Sequence, residues 1–196
     1  PPSQVHTFNR YFPPDEYFAD HPEWFSLVDG ERRGERTQLC LTNEQLRQAF
    51  LQKLRENIEQ TRVEAAEAGA PPPVVFSVSQ NDWGGECECD ECQAIAKREG
   101  SESGPLLDFV NFLADGIAED YPDVRLSTLA YTYTQAPPKT ITPRDNVIVR
   151  LCDTGSDFTR AITTEINKPF HDFLLSWAAT NGATVHSVVT DESGSN

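Results

Sequence analysis

Residues 74–83 read Val74-Val75-Phe76-Ser77-Val78-Ser79-Gln80-Asn81-Asp82-Trp83. The first six are nearly continuous apolar and β-branched, which suits a strand buried on both faces of a parallel sheet better than an alternating antiparallel strand. The last four are polar or aromatic, as expected where such a strand reaches solvent at its C-terminal end.

Upstream, Gly69 and Pro71-Pro72-Pro73 stop a helix. That helix starts at Thr42, where Thr42-Asn43-Glu44-Gln45 reads as a capping box, and carries Leu46, Phe50, Leu54 and Ile58 at four-residue spacing. Downstream the pattern recurs. Leu106, Val110, Leu113 and Ile117 form the stripe of a second helix ending near Tyr121-Pro122, and residues 124–130 read as the next strand. A Pro-rich loop over 131–143 leads to a third strand over 146–152. Pro169 suits the first turn of a helix through Trp177, and residues 184–189 read as a last strand. At the start, His6 to Arg10 reads as an opening strand, and Asp29-Gly30 as a hairpin turn.

Strands alternating with helices indicate an α/β parallel sheet. No Gly-x-Gly-x-x-Gly or P-loop follows any strand, so a nucleotide-binding open sheet loses its usual support and a TIM-barrel-like (β/α)8 fold is expected. Five or six strands in 196 residues fall short of eight, so the expectation is an incomplete barrel or a fragment of one, occupying residues 1–190 with a polar tail at 191–196. The absence of Met and the Pro1-Pro2 start lead to the same expectation of a piece of a larger polypeptide.

Parallel strands share one edge for their C-terminal ends, so Gln80-Asn81-Asp82-Trp83, Tyr131-Thr132-Tyr133 and Arg150-Leu151-Cys152-Asp153 should converge there. Asp82 is the first choice as a general acid or base, because partial burial beside Trp83 would tune its carboxyl group and Asn81 would hold substrate. The alternative is that Asp82 braces the Gly84-Gly85 turn. Aromatic residues gather in loops, among them Phe8, Tyr11, Phe12, Tyr17, Phe18, Trp24, Phe25, Trp83, Tyr131 and Tyr133. Sugar rings stack on such side chains while their hydroxyls seek polar groups such as His6, Asn9 and Arg10; the alternative is that residues 17–25 pack as a subsidiary core. His21 reads as a turn residue and His171 as helix surface, and the acids of 56–67 and 99–102 as solvated faces.

Cys87, Cys89 and Cys92 form a Cys-x-Cys-x-x-Cys cluster matching half of many tetrahedral zinc sites, with Cys40 or Cys152 as the candidate fourth ligand. A structural zinc, two disulfides plus a free thiol, and buried unpaired thiols all fit the count of five cysteines. A catalytic thiolate is disfavoured by the surrounding carboxylates.

With a formal charge of −15 and no basic run longer than Arg32-Arg33, itself flanked by Glu31 and Glu35, the sequence argues against nucleic acid as a partner. No apolar run approaches the roughly 18 residues of a membrane span, so no membrane insertion is expected.

His6-Thr-Phe-Asn-Arg10, the Pro-Pro-x-x-Tyr-Phe and His-Pro-Glu-Trp-Phe of positions 13–25, Leu27-Val-Asp-Gly30, Gln38-Leu-Cys-Leu41, Ser77-Val-Ser-Gln-Asn-Asp82 with its cysteines, Leu129-Ala-Tyr-Thr-Tyr133 and Val147-Ile-Val-Arg-Leu-Cys152 together resemble an uncharacterised bacterial domain family. That family is associated with glycoside hydrolases and is similar to the α-glucuronidase and hexosaminidase type of barrel. The resemblance implies an exported or otherwise extracytoplasmic protein with carbohydrate as its partner. It places His6, Asn9, Arg10, Asn81, Asp82, Tyr131, Tyr133 and Arg150 around a sugar pocket and sets the five cysteines close together. Glycoside hydrolysis uses two carboxyl groups, and Asp153 is the candidate partner for Asp82. A carbohydrate-binding or structural domain without a working acid pair is the alternative, and a metal-binding or redox unit built on the cysteines is a third.

Overall fold

The computed structural model describes residues 5–180 and the backbone of 184–189. The chain opens with two helical turns, α1 (Phe8–Tyr11) and α2 (Pro14–Tyr17), and a 3-10 turn at Pro22–Trp24. The hairpin β1 (Leu27–Val28) and β2 (Glu31–Arg32) follows, then α3 (Glu44–Glu67) and β3 (Val75–Ser77). Next come α4 (Asp90–Glu99), α5 (Ser103–Ile117), β4 (Arg125–Ala130), β5 (Val147–Asp153), α6 (Lys168–Ala178) and β6 (Thr184–Val189).

The main sheet has four strands in the order β3-β4-β5-β6, and every pairing is parallel. A (β/α)8 barrel is not present: among the described residues the sheet is open, in a mixed α/β fold. The stretch ahead of β3 goes into two helical turns, a hairpin and the 24-residue α3 instead of further strand–helix units. From β4 to β5 the chain crosses by a loop and a 3-10 turn at Thr132–Thr134, with no α-helix.

The opening strand expected over His6 to Arg10 is also corrected. Phe8 and Phe12 stand four residues apart, both fully buried, and a helical turn is what aims both rings inward. Phe8, Phe50 and Phe109 then meet edge to face in pairs, with centroids 6.0, 5.9 and 5.1 Å apart, joining α1, α3 and α5. Thr7 still ties this segment to the outer side of β3, donating its N–H to the Ser79 carbonyl and its hydroxyl to the Ser77 carbonyl.

α3 keeps the expected stripe, with Leu46, Phe50, Leu54 and Ile58 all fully buried. Its cap is Asn43, one residue later than the capping box predicts, with Oδ1 accepting from the Leu46 N–H at 2.9 Å. Residues 17–25 belong to the main core: Trp24 and Phe25 are buried, Phe12 meets Trp24 edge to face, and the His21 ring stacks on Trp24. No helix among the described residues is long and apolar enough to cross a membrane.

α4 has no counterpart in the apolar periodicity. Its signals are Asp90 and Glu91 in the first turn, Lys97 and Arg98 in the last, and Gly100 after it, all of which suit the helix dipole and cap. Glu99, expected on a solvated face, is 1% exposed. Its carboxylate accepts from the N–H groups of Thr140 and Ile141, from the Thr140 hydroxyl and from Arg98. These bonds outweigh burial and hold its pKa down at about 2.

A cysteine centre beside the sheet edge

The hairpin folds as Asp29-Gly30 predicts, both residues adopting positive φ (52° and 80°) in the manner of a two-residue turn. It packs across residues 87–88: the Glu88 N–H donates to the Leu27 carbonyl at 2.8 Å and the Asp29 N–H to the Glu88 carboxylate at 2.7 Å. Cys40 arrives on a short antiparallel bridge between Phe25 and Leu39, its own N–H donating to the Trp24 carbonyl. Cys89 is the N-cap of α4, and Cys92 lies in its first turn.

These elements bring Cys40, Cys87, Cys89 and Cys92 together, with all four Sγ atoms within 4.8 Å of one another. Cys40 and Cys89 are 3.6 Å apart, far beyond a disulfide bond, and all five cysteines are free thiols. Tetrahedral coordination at about 2.3 Å per Zn–S bond sets neighbouring sulfurs about 3.8 Å apart, so the donor set fits a tetrahedral metal ion. Without a cation the four cannot ionise together. Cys40 is pulled far below the usual thiol range by the S–H groups of Cys87 and Cys92, and its charge, with burial, pushes Cys87 up to about 12 and Cys92 well above the usual range. A divalent ion reverses that order by holding the thiols deprotonated.

Cys152 is not part of this group. It is buried near the end of β5, in contact with the Arg150 carbonyl oxygen, and burial raises its pKa. The fourth cysteine of the cluster is therefore Cys40, and the five cysteines do not all stand together. Thr42 was missed by the sequence pattern: its hydroxyl lies 3.2 Å from Cys92 Sγ and 3.7 Å from Cys89 Sγ, while Asn43 does the capping. Arg32 was missed as well, with Nη1 3.7 Å from Cys87 Sγ.

The loop from β3 runs from the sheet edge to the cysteines. Buried Gln38 fixes it, donating through Nε2 to the carbonyls of Asn81 and Trp83 and accepting the Asn81 N–H at 2.8 Å. Gly85, at φ 76°, sits so close to Thr37 that a Cβ would meet it at 3.1 Å. Beyond this brace Asp82 is exposed (59%), and its Oδ1 accepts a 2.9 Å hydrogen bond from the Tyr131 hydroxyl. His6, at φ 57°, donates Nδ1–H to the Gln80 carbonyl at 2.9 Å, which leaves Nε2 facing Asp82 at 3.9 Å. The His6 ring meets Tyr131 edge on at 5.5 Å. Trp83 is 48% exposed, with the Arg36 guanidinium 5.5 Å from its ring.

His6, Asp82, Tyr131 and Trp83 are thus brought to one edge. The other expected pocket residues have different settings. Asn9 and Asn81 pair reciprocally, amide to amide and N–H to amide, and Asn81 is buried. Arg10 lines an open cleft of about 450 Å³ between α3 and the outer side of β3. Tyr133 points to a small cavity with Glu86, Glu102, Cys87 and Cys92, where burial and the two carboxylates raise its pKa. Arg150 is half-buried in the middle of β5, opposite Leu129. Asp153 closes β5 and accepts the N–H groups of Gly155 and Ser156, bracing the turn that follows.

The fold and site define a mixed α/β domain with a four-cysteine centre next to a polar and aromatic sheet edge. The chain belongs to the family described as domain of unknown function DUF4838, whose family model matches residues 1–185. No curated protein and no solved structure matches it.

Proposed function

We propose that this chain is a carbohydrate-binding domain whose binding edge is held in place by a structural zinc ion. The observation that carries the reading is the Asp82 carboxylate, exposed yet fixed by Tyr131 and faced by His6, beside the half-exposed ring of Trp83. A fixed carboxylate and imidazole offer hydrogen bonds to vicinal hydroxyls, and an exposed indole offers a face to the apolar side of a sugar ring.

Zinc is the ion proposed for Cys40, Cys87, Cys89 and Cys92 because four thiolates in tetrahedral reach suit it and leave no open position for chemistry. Its role is then to pin the hairpin, α4 and the loop bearing Asp82. Elemental analysis tests this: one zinc per chain is expected, and an iron-loaded protein would keep the site but replace the metal.

The second reading is a glycoside hydrolase with Asp82 as acid or base, favoured by the contact with Tyr131 and the approach of His6. It needs a second carboxyl group, for which Asp153, braced at the end of β5 by the N–H groups of Gly155 and Ser156, is the candidate. Binding and hydrolysis of a panel of neutral, amino-sugar and uronic-acid oligosaccharides, measured separately for the parent and Asp82→Asn, distinguish the two. Binding without turnover in the parent supports the binding domain. Turnover lost in Asp82→Asn with binding retained supports the hydrolase, and no binding to any member overturns both.

A further inference from the structure

The β1–β2 hairpin meets the cysteine centre with two donors from one register pair. Leu27 and Arg32 face each other across the hairpin. The Leu27 N–H donates to Cys87 Sγ at 3.4 Å, and Arg32 Nη1 approaches the same sulfur at 3.7 Å while donating to the Phe25 carbonyl at 2.7 Å. The guanidinium is therefore anchored on the backbone just ahead of the hairpin, at Phe25, independently of any metal, and its charge also acts on Cys40 and Cys89.

Charge makes this placement consequential. Four thiolates around a divalent cation leave a net charge of −2, and the surrounding sequence adds Glu86, Glu88, Asp90 and Glu91. Among the described residues, Arg32 is the cation in contact with a cysteine sulfur, since neighbouring Arg33 is engaged with Asp29 at 3.2 Å. The Thr42 hydroxyl and the N-terminal end of α4, where Cys89 is the cap, add dipoles but no compensating unit charge.

We infer that the hairpin is the outer shell of the metal centre and that Arg32 is its charge-compensating residue, setting the affinity of the four cysteines for a divalent ion. This rests on the proposal that the cysteines hold a metal. Arg32 is a positioning residue that acts through Cys87, and it makes the hairpin a part of the site.

The test uses the intact chain and two readouts, zinc affinity by competition with a chromophoric chelator and the thiolate-to-cobalt charge-transfer bands of the cobalt(II)-loaded protein. If the parent binds neither ion, the metal reading itself falls. If it binds one equivalent, Arg32→Gln is expected to weaken zinc binding by roughly 10- to 100-fold, the usual range for outer-shell partners, and to shift the charge-transfer bands. Arg32→Lys, which keeps the charge but loses the fork, is expected to fall between the two. Affinity and bands unchanged in a folded Arg32→Gln protein would overturn the inference. Should Arg32→Gln fail to fold, Arg32→Lys decides: partial retention of affinity supports charge compensation, and a loss as deep as that of Cys92→Ser overturns it.

Discussion

The Tyr131 hydroxyl and Asp82 Oδ1 lie 2.9 Å apart, linking the segments that leave β4 and β3 at the C-terminal edge of the sheet. The bond joins residues 49 apart in sequence and fixes a carboxylate that would otherwise swing freely on an exposed loop. Tyr131→Phe should therefore weaken glycan binding by roughly tenfold, the worth of one hydrogen bond to a charged group, while shifting stability little. Affinity electrophoresis alongside a thermal melt checks both halves.

Metal removal should loosen the hairpin and α4 before the sheet. Stripping the ion from the parent, or making Cys92→Ser, should raise amide hydrogen exchange over residues 27–32 and 86–99 while leaving β4 and β5 protected. Stability should also rise by about 1.4 kcal/mol for each tenfold increase in free zinc above its dissociation constant. Denaturant unfolding at several buffered zinc concentrations measures that slope.

Glu99 should make the domain acid-sensitive. Its folded pKa of about 2 lies below the ordinary value of 4.5, so its contribution is complete above the unfolded value and disappears as pH falls toward 2. Glu99→Gln keeps the shape but loses the charge, and should cost on the order of 1–3 kcal/mol at neutral pH. It should also flatten the stability profile between about pH 5 and 2, which denaturant midpoints across that range would show.

The cap that the capping-box pattern gives to Thr42 is made by Asn43, and the Thr42 hydroxyl turns to the cysteines instead. Asn43→Ala should cost about 1 kcal/mol of stability by removing the α3 cap. Thr42→Val should leave the cap intact and weaken the metal centre instead, by removing the hydroxyl 3.2 Å from Cys92. Chemical denaturation of zinc-loaded protein and chelator competition separate these effects.

The parts of the fold that were legible in the sequence are those set by local chemistry. Period-four apolar residues in α3, the Asp29-Gly30 turn and the β-branched run ending at Ser79 each determine their element within a few residues. The expected barrel is not formed, and the sequence could not exclude it, because closure depends on what lies between strands. His6 to Arg10, which read as a strand, instead lead into the helical turn Phe8–Tyr11 once Phe8 and Phe12 both find the core. At the site, the Cys-x-Cys-x-x-Cys spacing pointed to three of the four clustered cysteines, since Cys89 and Cys92 share one helix start. The choice of Cys40 over Cys152, and the part of Arg32, depended on long-range packing that no spacing encodes.

The most direct test of the carbohydrate reading is tryptophan fluorescence of the zinc-loaded chain titrated with the oligosaccharide panel. Trp24 and Trp177 are buried and Trp83 is half-exposed, so a ligand at this edge reports through Trp83. The account predicts a saturable change in emission with at least one member of the panel, abolished in Trp83→Phe and weakened in Asp82→Asn. A change that persists undiminished in both variants, or no change with any glycan, would contradict it.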